Sequence, residues 1–293
     1  MNQPAPLNPA LVEKLAGVSE TSLLTLYCRA TESRAKDPIL RDEAAVELAG
    51  RLAPALAASS SKLLQKVARG RVNPQLNLYI SLRAKKYDEY GTDFISRHPD
   101  GIIVNLGCGM DTRFQRIDNG SLLLIDLDLP EVIAIKKELL PESERYHQIG
   151  SSVFETEWMD QVKSYGERPA LFLAEGLLMY LDAARVKALI LEMLARFPGS
   201  EMVCEVFNSM WLKGPLKGIM NRKLQGQFGF TKDTDYHFGI SHSREMETWQ
   251  AGIQFLDEWS YFDTGHRKLG LLRFFKNSEF MRKVQWTVHY RLG

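Results

Sequence analysis

The run Val104-Asn105-Leu106-Gly107-Cys108-Gly109-Met110-Asp111-Thr112-Arg113 constrains this chain more than any other stretch. Residues 102–106 are apolar and mostly β-branched, the pattern of a strand buried on both faces of a parallel sheet. Gly107 allows a sharp turn where that strand ends, and Gly109 lets the backbone approach a ligand closely. Residues 111–117 then read as a helix. Asp126 and Asp128 stand about twenty residues beyond the turn and close a second apolar run at 121–127, where a carboxylate can grip ribose hydroxyls. This is the opening of a nucleotide-binding α/β sheet. An ordinary strand-turn-helix with a solvated acid looks similar, and a glycine pair alone does not separate the two.

The rest of the chain continues the alternation. Residues 130–140 form a helix with proline in its first turn, and 183–197 a strongly amphipathic helix stopped by Pro198-Gly199. Further strands are expected at 146–151, 170–175 and 201–207, with closing strands at 259–262 and 284–290. Ahead of the glycine turn the sequence is helical, at 21–32, at 42–49 (capped by Asp42 and closed by Gly50) and at 75–94. The expectation is an α/β chain with a Rossmann-like sheet. A helical extension, 1–98, would pack on a core at 99–293. Residues 208–245, rich in Gly, Lys and Met with weak periodicity, read as a helical lid inserted into that core.

Composition narrows the partners. With 37 basic and 36 acidic residues the net charge is +1, so no long-range field draws in nucleic acid or an acidic membrane surface. Cys28, Cys108 and Cys204 are far apart and form no Cys-x-x-Cys, which argues against a disulfide framework or a zinc site. The N-terminus lacks a signal-peptide core, and no apolar run approaches the ~20 residues that span a bilayer. A cytoplasmic chain without a metal is expected.

The residues around the turn discriminate between nucleotides. A dinucleotide site wants a third glycine where this chain has Thr112, and Asp111, placed to cap the helix, would repel a pyrophosphate. S-adenosylmethionine carries no phosphate. Its ribose suits an acid, its ammonium suits acceptors and its carboxylate suits an arginine. A nicotinamide oxidoreductase is the poorer reading. Glu175, at the end of the apolar run 170–174 and followed by Gly176, stands where ligands bind in open α/β sheets.

Taken together, these segments resemble the leucine carboxyl methyltransferase family, most of all its bacterial, tetracenomycin-type polyketide O-methyltransferase branch. Thr25-Leu26-Tyr27-Cys28-Arg29-Ala30-Thr31-Glu32-Ser33 is similar to the branch's N-terminal motif, and residues 81–88 resemble its Arg-containing helix. Residues 104–116, Asp126-Leu127-Asp128-Leu129-Pro130, Ser151-Ser152-Val153 and Ala174-Glu175-Gly176-Leu177-Leu178-Met179-Tyr180-Leu181 follow the family's remaining motifs in order. Glu155 departs from the branch, which often has Asp there. The resemblance implies a class I methyltransferase sheet, mostly parallel with an antiparallel last strand.

It also implies roles. Arg83 would pair with the cofactor's carboxylate, and Gly107, Cys108 and Gly109 would pass beneath its methionine part. Asp128 would hold the ribose, with Asp126 as the second candidate. Ser152 and Val153 would flank the adenine, Glu175 would face the ammonium, and Tyr180 would lie near the donor methyl. Arg29 would help to close the site, or else be a solvated helix arginine.

The implied reaction is methyl transfer from S-adenosylmethionine to oxygen, leaving S-adenosylhomocysteine. A carboxylate acceptor needs no base, whereas a phenol, with a reference pKa of about 10, usually does. Tyr180, His237 and His242 are the candidates for that base, although the histidines also fit an incidental surface loop. The acceptor is expected to be a small molecule, such as a polyketide-like metabolite. A protein's C-terminal leucine is the alternative acceptor, and binding of S-adenosylmethionine without reaction the alternative of another class. The sequence leaves the oligomeric state open.

Overall fold

A computed structural model describes residues 20–212, 217–218 and 236–293. Most of the expected lid, 213–216 and 219–235, and the N-terminal stretch 1–19 lie outside the described residues.

Four helices come first: α1 (Glu20–Ser33), α2 (Glu43–Ala57), α3 (Lys62–Ala68) and α4 (Pro74–Arg97). Their starts carry the expected chemistry, because the side chains of Asp42, Ser61 and Asn73 accept from the first-turn amides of α2, α3 and α4. The alternation follows as β1 (Ile102–Leu106), α5 (Arg113–Ile117), β2 (Leu123–Asp128), α6 (Pro130–Leu139), β3 (Tyr146–Gly150), α7 (Glu157–Ser164) and β4 (Ala170–Ala174). Then come α8 (Ala183–Arg196), β5 (Ser200–Phe207), β6 (Ile253–Trp259) and β7 (Gln285–Leu292).

The seven strands form one sheet in the order β3-β2-β1-β4-β5-β7-β6. β1 to β5 pair in parallel, and β7 runs antiparallel to both β5 and β6. This is the class I methyltransferase sheet. β6 lies earlier than the strand expected at 259–262 and shares only Trp259 with it. The aromatic cluster Trp259-Ser260-Tyr261-Phe262 suggested a strand, but Ser260 begins a turn in which its amide donates to Asp263.

β1, β2, β4 and β5 are almost wholly buried because helices cover both faces. On one face, Leu23, Leu52 and Phe94 of the N-terminal helices share a core with Ile103, Leu171 and Val203. On the other, Trp158 and Ile190 pack on Val104, Phe172 and Cys204. The strand order reverses at β1, between β2 and β4. In open α/β sheets ligands bind at such a switch point, in the crevice beyond the carboxyl ends of the strands.

No helix of the described residues is long and apolar enough to cross a membrane. The three cysteines are buried and free.

Candidate active site

The turn after β1 owes its shape to its glycines. Gly107 and Gly109 have φ of +62° and +48°, a region costly for residues with a Cβ. The Cys108 amide donates to Leu127 O at 3.1 Å, and the Gly109 amide to Asp128 Oδ2 at 2.7 Å. The other Asp128 oxygen accepts the Leu129 amide at 2.7 Å. Asp128 therefore ties the turn to the tip of β2 while remaining partly exposed. Burial pushes its pKa above the usual carboxylate value, against the pull of the two amides. Further donors, such as a pair of hydroxyls, would stabilise the charged form.

Asp126 is differently placed, and this corrects its candidacy for the ribose. It sits beside Asn105 in register, one pleat deeper in β2. Its Oδ2 meets Lys136 Nζ and Tyr146 Oη, each at 2.6 Å, while Oδ1 accepts from Asn105 Nδ2 at 3.0 Å. The Lys136 side chain is fully buried and that of Asp126 nearly so. This is a closed internal pair that offers no face to a ligand. Lys136 lies among the buried residues Val132, Ile133, Ile135 and Leu139 of α6, a lysine in an apolar stripe that is visible in the sequence. The Cys108 side chain is buried in the same region, so only its backbone borders the turn.

Asp111 is not the helix cap expected of it. α5 starts at Arg113, and Asp111 instead accepts Arg113 Nη1 at 2.7 Å and Arg116 Nη2 at 3.1 Å. Thr112, which stands in place of a third glycine, gives its hydroxyl to Asp42 at 2.6 Å. Arg29 is not solvated. It is buried, with Nε on Asp42 at 2.9 Å and Nη2 on the Met110 carbonyl at 2.7 Å, so α1 braces the glycine turn from outside.

A line of buried charge runs from there across the crevice. Arg113 joins Asp88 at 3.0 Å and Glu175 at 2.6 Å. Glu175 gives its other oxygen to Arg83 Nε at 2.9 Å, and Arg83 Nη1 reaches Glu205 at 2.8 Å. Tyr261 Oη (2.5 Å) and Gln285 Nε2 (2.8 Å) complete the shell of Glu205. Burial would raise the pKa of Glu175, but the guanidinium groups of Arg83 and Arg113 outweigh it and hold the carboxyl below its usual value. Burial would likewise favour neutral Arg83, and Glu205 and Glu175 reverse that. A Cβ at Gly176 (φ +64°) would stand 3.1 Å from Arg83 Nη1 and Nη2, so the absence of a side chain leaves room for the guanidinium.

Sequence reasoning missed Glu205, Tyr261, Asp88 and Asp42 as members of this network. Glu205 carried the same signal as Glu175, an acid inside an apolar run, but without a following glycine to draw attention to it.

Beyond β3, the Ser151 hydroxyl and the Ser152 amide both bond Glu155 Oε2, at 2.8 and 3.2 Å. Val153 is buried, and its carbonyl accepts the Trp158 indole N–H at 3.1 Å. Glu155 thus shapes the segment that departs from the branch's usual Asp. Tyr180 ends a 3₁₀ turn (Leu178–Tyr180) and packs edge-on against Tyr236, with ring centroids 5.1 Å apart. Burial raises the pKa of its phenol above the ordinary 10, and a hydrogen bond from Tyr236 offsets part of this. The His237 amide donates to Met179 O at 2.8 Å, beside Tyr180, while its side chain is exposed. His242 is exposed too. Among the described residues no group of three His, Cys, Asp or Glu is arranged to hold a metal ion.

The structure thus gathers Arg83, Gly107, Gly109, Asp128, Glu175 and Gly176 around the ends of β1, β2 and β4. A ribose-bearing amino-acid nucleotide without phosphate matches this donor set, with a carboxylate at the β2 tip, a side-chain-free turn and a paired arginine.

The model of the leucine carboxyl methyltransferase family matches residues 22–194. The chain is 31% identical to the tetracenomycin polyketide synthesis O-methyltransferase TcmP of Streptomyces glaucescens, over 86% of each chain. It is 25% identical to the S-adenosyl-L-methionine-dependent methyltransferase dpfgK of Gibberella zeae, over 82% of this chain and 81% of that one. Among solved structures, an O-methyltransferase family protein from Burkholderia thailandensis aligns with 12% identity and a TM-score of 0.48, over 80% of this chain and 60% of that one.

Proposed function

The chain belongs to the leucine carboxyl methyltransferase family and is an S-adenosylmethionine-dependent O-methyltransferase, and on that premise we propose that it esterifies a carboxylate of a small, polyketide-like molecule. The observation that carries the choice of acceptor is the state of the candidate bases. The Tyr180 phenol is held above its ordinary pKa and so keeps its proton at neutral pH, and the His237 side chain faces solvent. A carboxylate is already ionised and asks for neither.

S-adenosylmethionine supplies an electrophilic methyl group on a sulfonium. A carboxylate oxygen would form the new O–CH₃ bond as the S–CH₃ bond broke, the sulfur keeping the electron pair. The residues bind and align. Asp128 would accept from the ribose hydroxyls, and Arg83, fixed by Glu175 and Glu205, would receive the amino-acid carboxylate. Glu175 would face the ammonium, Gly107, Cys108 and Gly109 would bring backbone close to the methionine part, and Ser152 and Val153 would flank the adenine. Tyr180 accepts from Tyr236, and its own O–H would orient the acceptor. His237 stays at the rim.

The net charge of +1 supports a small molecule over nucleic acid as acceptor, and three free thiols support a reducing compartment such as the cytoplasm. Calorimetric titration with S-adenosylmethionine, S-adenosylhomocysteine and NADH, followed by methyl transfer to small carboxylates, phenols and a peptide ending in leucine, tests the reading. Turnover of carboxylates alone is the expected result. Turnover of phenols alone overturns the acceptor, and turnover of the peptide alone moves the chain to protein modification. Binding without any transfer would make it a non-catalytic binder.

A further inference from the structure

Four of the six large hydrophobic side chains exposed among the described residues fall within ten positions: Leu271, Phe274, Phe275 and Phe280. They sit in the segment that joins β6 to β7, a 3₁₀ stretch at Arg267–Asn277 kinked at Gly270 (φ 54°, ψ −127°) and the short helix Glu279–Arg282. Leu269, before the kink, is buried with Ile39, Leu82 and Trp259, whereas Leu271, after it, is 82% exposed. Phe274 is 60% and Phe280 56% exposed. An exposed apolar cluster of this kind marks a contact surface.

Its charges say what it contacts. Residues 266–283 hold six basic residues and one acid, while the remainder of the chain holds 31 basic and 35 acidic residues. At the root of the segment the cations are neutralised: Arg267 pairs with Asp37, Lys268 with Glu32, Arg282 with Asp263, and Lys283 with Glu258. At the tip, Arg273 and Lys276 have no carboxylate partner among the described residues, and Arg273 lies over the Phe274 ring at 5.3 Å. Apolar tips flanked by unpaired cations are the composition of an interfacial membrane contact. A two-fold contact centred on this tip would crowd the unpaired cations of both copies into one interface with no acid to offset them. Two free cations are few for a nucleic-acid backbone.

We propose that the Leu271–Lys276 tip, with Phe280 beside it, docks peripherally on an anionic lipid bilayer. The near-neutral total hid this patch, since it does not show that two unpaired cations stand together at one apolar tip. The docking goes beyond the methyl-transfer reading and does not depend on it.

Co-sedimentation of the full chain with vesicles tests it. Wild type should pellet with phosphatidylcholine vesicles containing phosphatidylglycerol, at least tenfold more tightly than with phosphatidylcholine alone, and raised salt should release it. Leu271→Ser/Phe274→Ser and Arg273→Glu/Lys276→Glu should each lose about tenfold in binding, with unchanged thermal midpoint and unchanged S-adenosylmethionine affinity. Wild type that stays in the supernatant, or that binds both vesicle types equally, overturns the proposal. So does a wild-type dimer in light scattering that Leu271→Ser/Phe274→Ser converts to monomer without any vesicle binding.

Discussion

The Gly109 amide points at Asp128 Oδ2 from 2.7 Å, so the turn after β1 is tied to the tip of β2. A ligand that hydrogen-bonds to Asp128 is therefore registered against the glycine turn as well.

Asp128 and Asp126, two residues apart on one strand, should separate cleanly on mutation. Asp128→Ala is expected to weaken S-adenosylmethionine binding by about 1–3 kcal/mol, the range for losing charge-assisted hydrogen bonds. Asp126→Asn should leave Lys136 buried without its charge partner and cost on the order of 3–5 kcal/mol of stability, with the affinity of the folded protein unchanged. Calorimetry and urea melts measure the two effects, and a reversed pattern would return the ribose to Asp126.

For Gly107 the obstacle is twofold. An added Cβ would stand 2.7 Å from Leu177 Cδ1, and φ is +62°. Gly107→Ala should lower both the thermal midpoint and cofactor affinity. Leu177→Ala on that background should relieve the clash and recover only part of the loss, because left-handed backbone still costs ~1–2 kcal/mol. Full recovery would show that φ does not matter here.

Arg83→Lys keeps the charge and loses the fork. An ammonium cannot reproduce the separate bonds to Glu175 and Glu205 and still offer a further N–H edge to a carboxylate. The Kd for S-adenosylmethionine should rise about tenfold or more, corresponding to ~1.4 kcal/mol per decade. Wild-type affinity in this variant would remove the carboxylate role from Arg83.

If the acceptor is a carboxylate, no group of the protein needs to titrate for transfer to occur. The kcat of wild type should be level from about pH 6 to 9, and Tyr180→Phe should lower kcat with little change in cofactor Kd. A rising limb near neutrality that disappears in His237→Ala would restore the histidine as a base.

Acid stability should trace to Glu201, away from the crevice. Burial opposes its charge, but hydrogen bonds from His289 (2.9 Å) and Arg97 (2.7 Å) prevail and bring its pKa from 4.5 down to about 2. A depressed carboxylate pKa contributes stability that is complete above the unfolded value and disappears as pH falls through the folded one. Glu201→Gln should therefore show a shallower loss of stability between about pH 4.5 and 2 in acid titrations followed by circular dichroism. An unaltered acid limb would assign that loss to other carboxylates.

The parallel sheet was legible because short apolar runs punctuated by glycine or acid have few other uses. The strand ends at Asp128 and Glu175 were legible for the same reason. What stayed hidden was pairing across long separations. Asp126 and Asp128 share a strand face, and only the reach of Lys136 from α6 tells them apart. Asp111 looked like a cap because its arginine partners, although close in sequence, act through a network that also needs Asp88 and Asp42. The strand lies at 253–259 and not at 259–262 because its exposed residues, Gln254 and Asp257, dilute the apolar signal that Trp259, Tyr261 and Phe262 concentrate farther on.

The grip of Glu205 on Arg83 also has a consequence in time. A chain emerging from the ribosome presents α4 early and β5 some hundred residues later, and contacts of such separation form late. A nascent chain that ends just past β4, at Gly176, already holds the glycine turn, Arg29, Asp42, Arg113 and Glu175. It still lacks the carboxylate on which Arg83 comes to rest, so the crevice is among the last parts of the molecule to be finished.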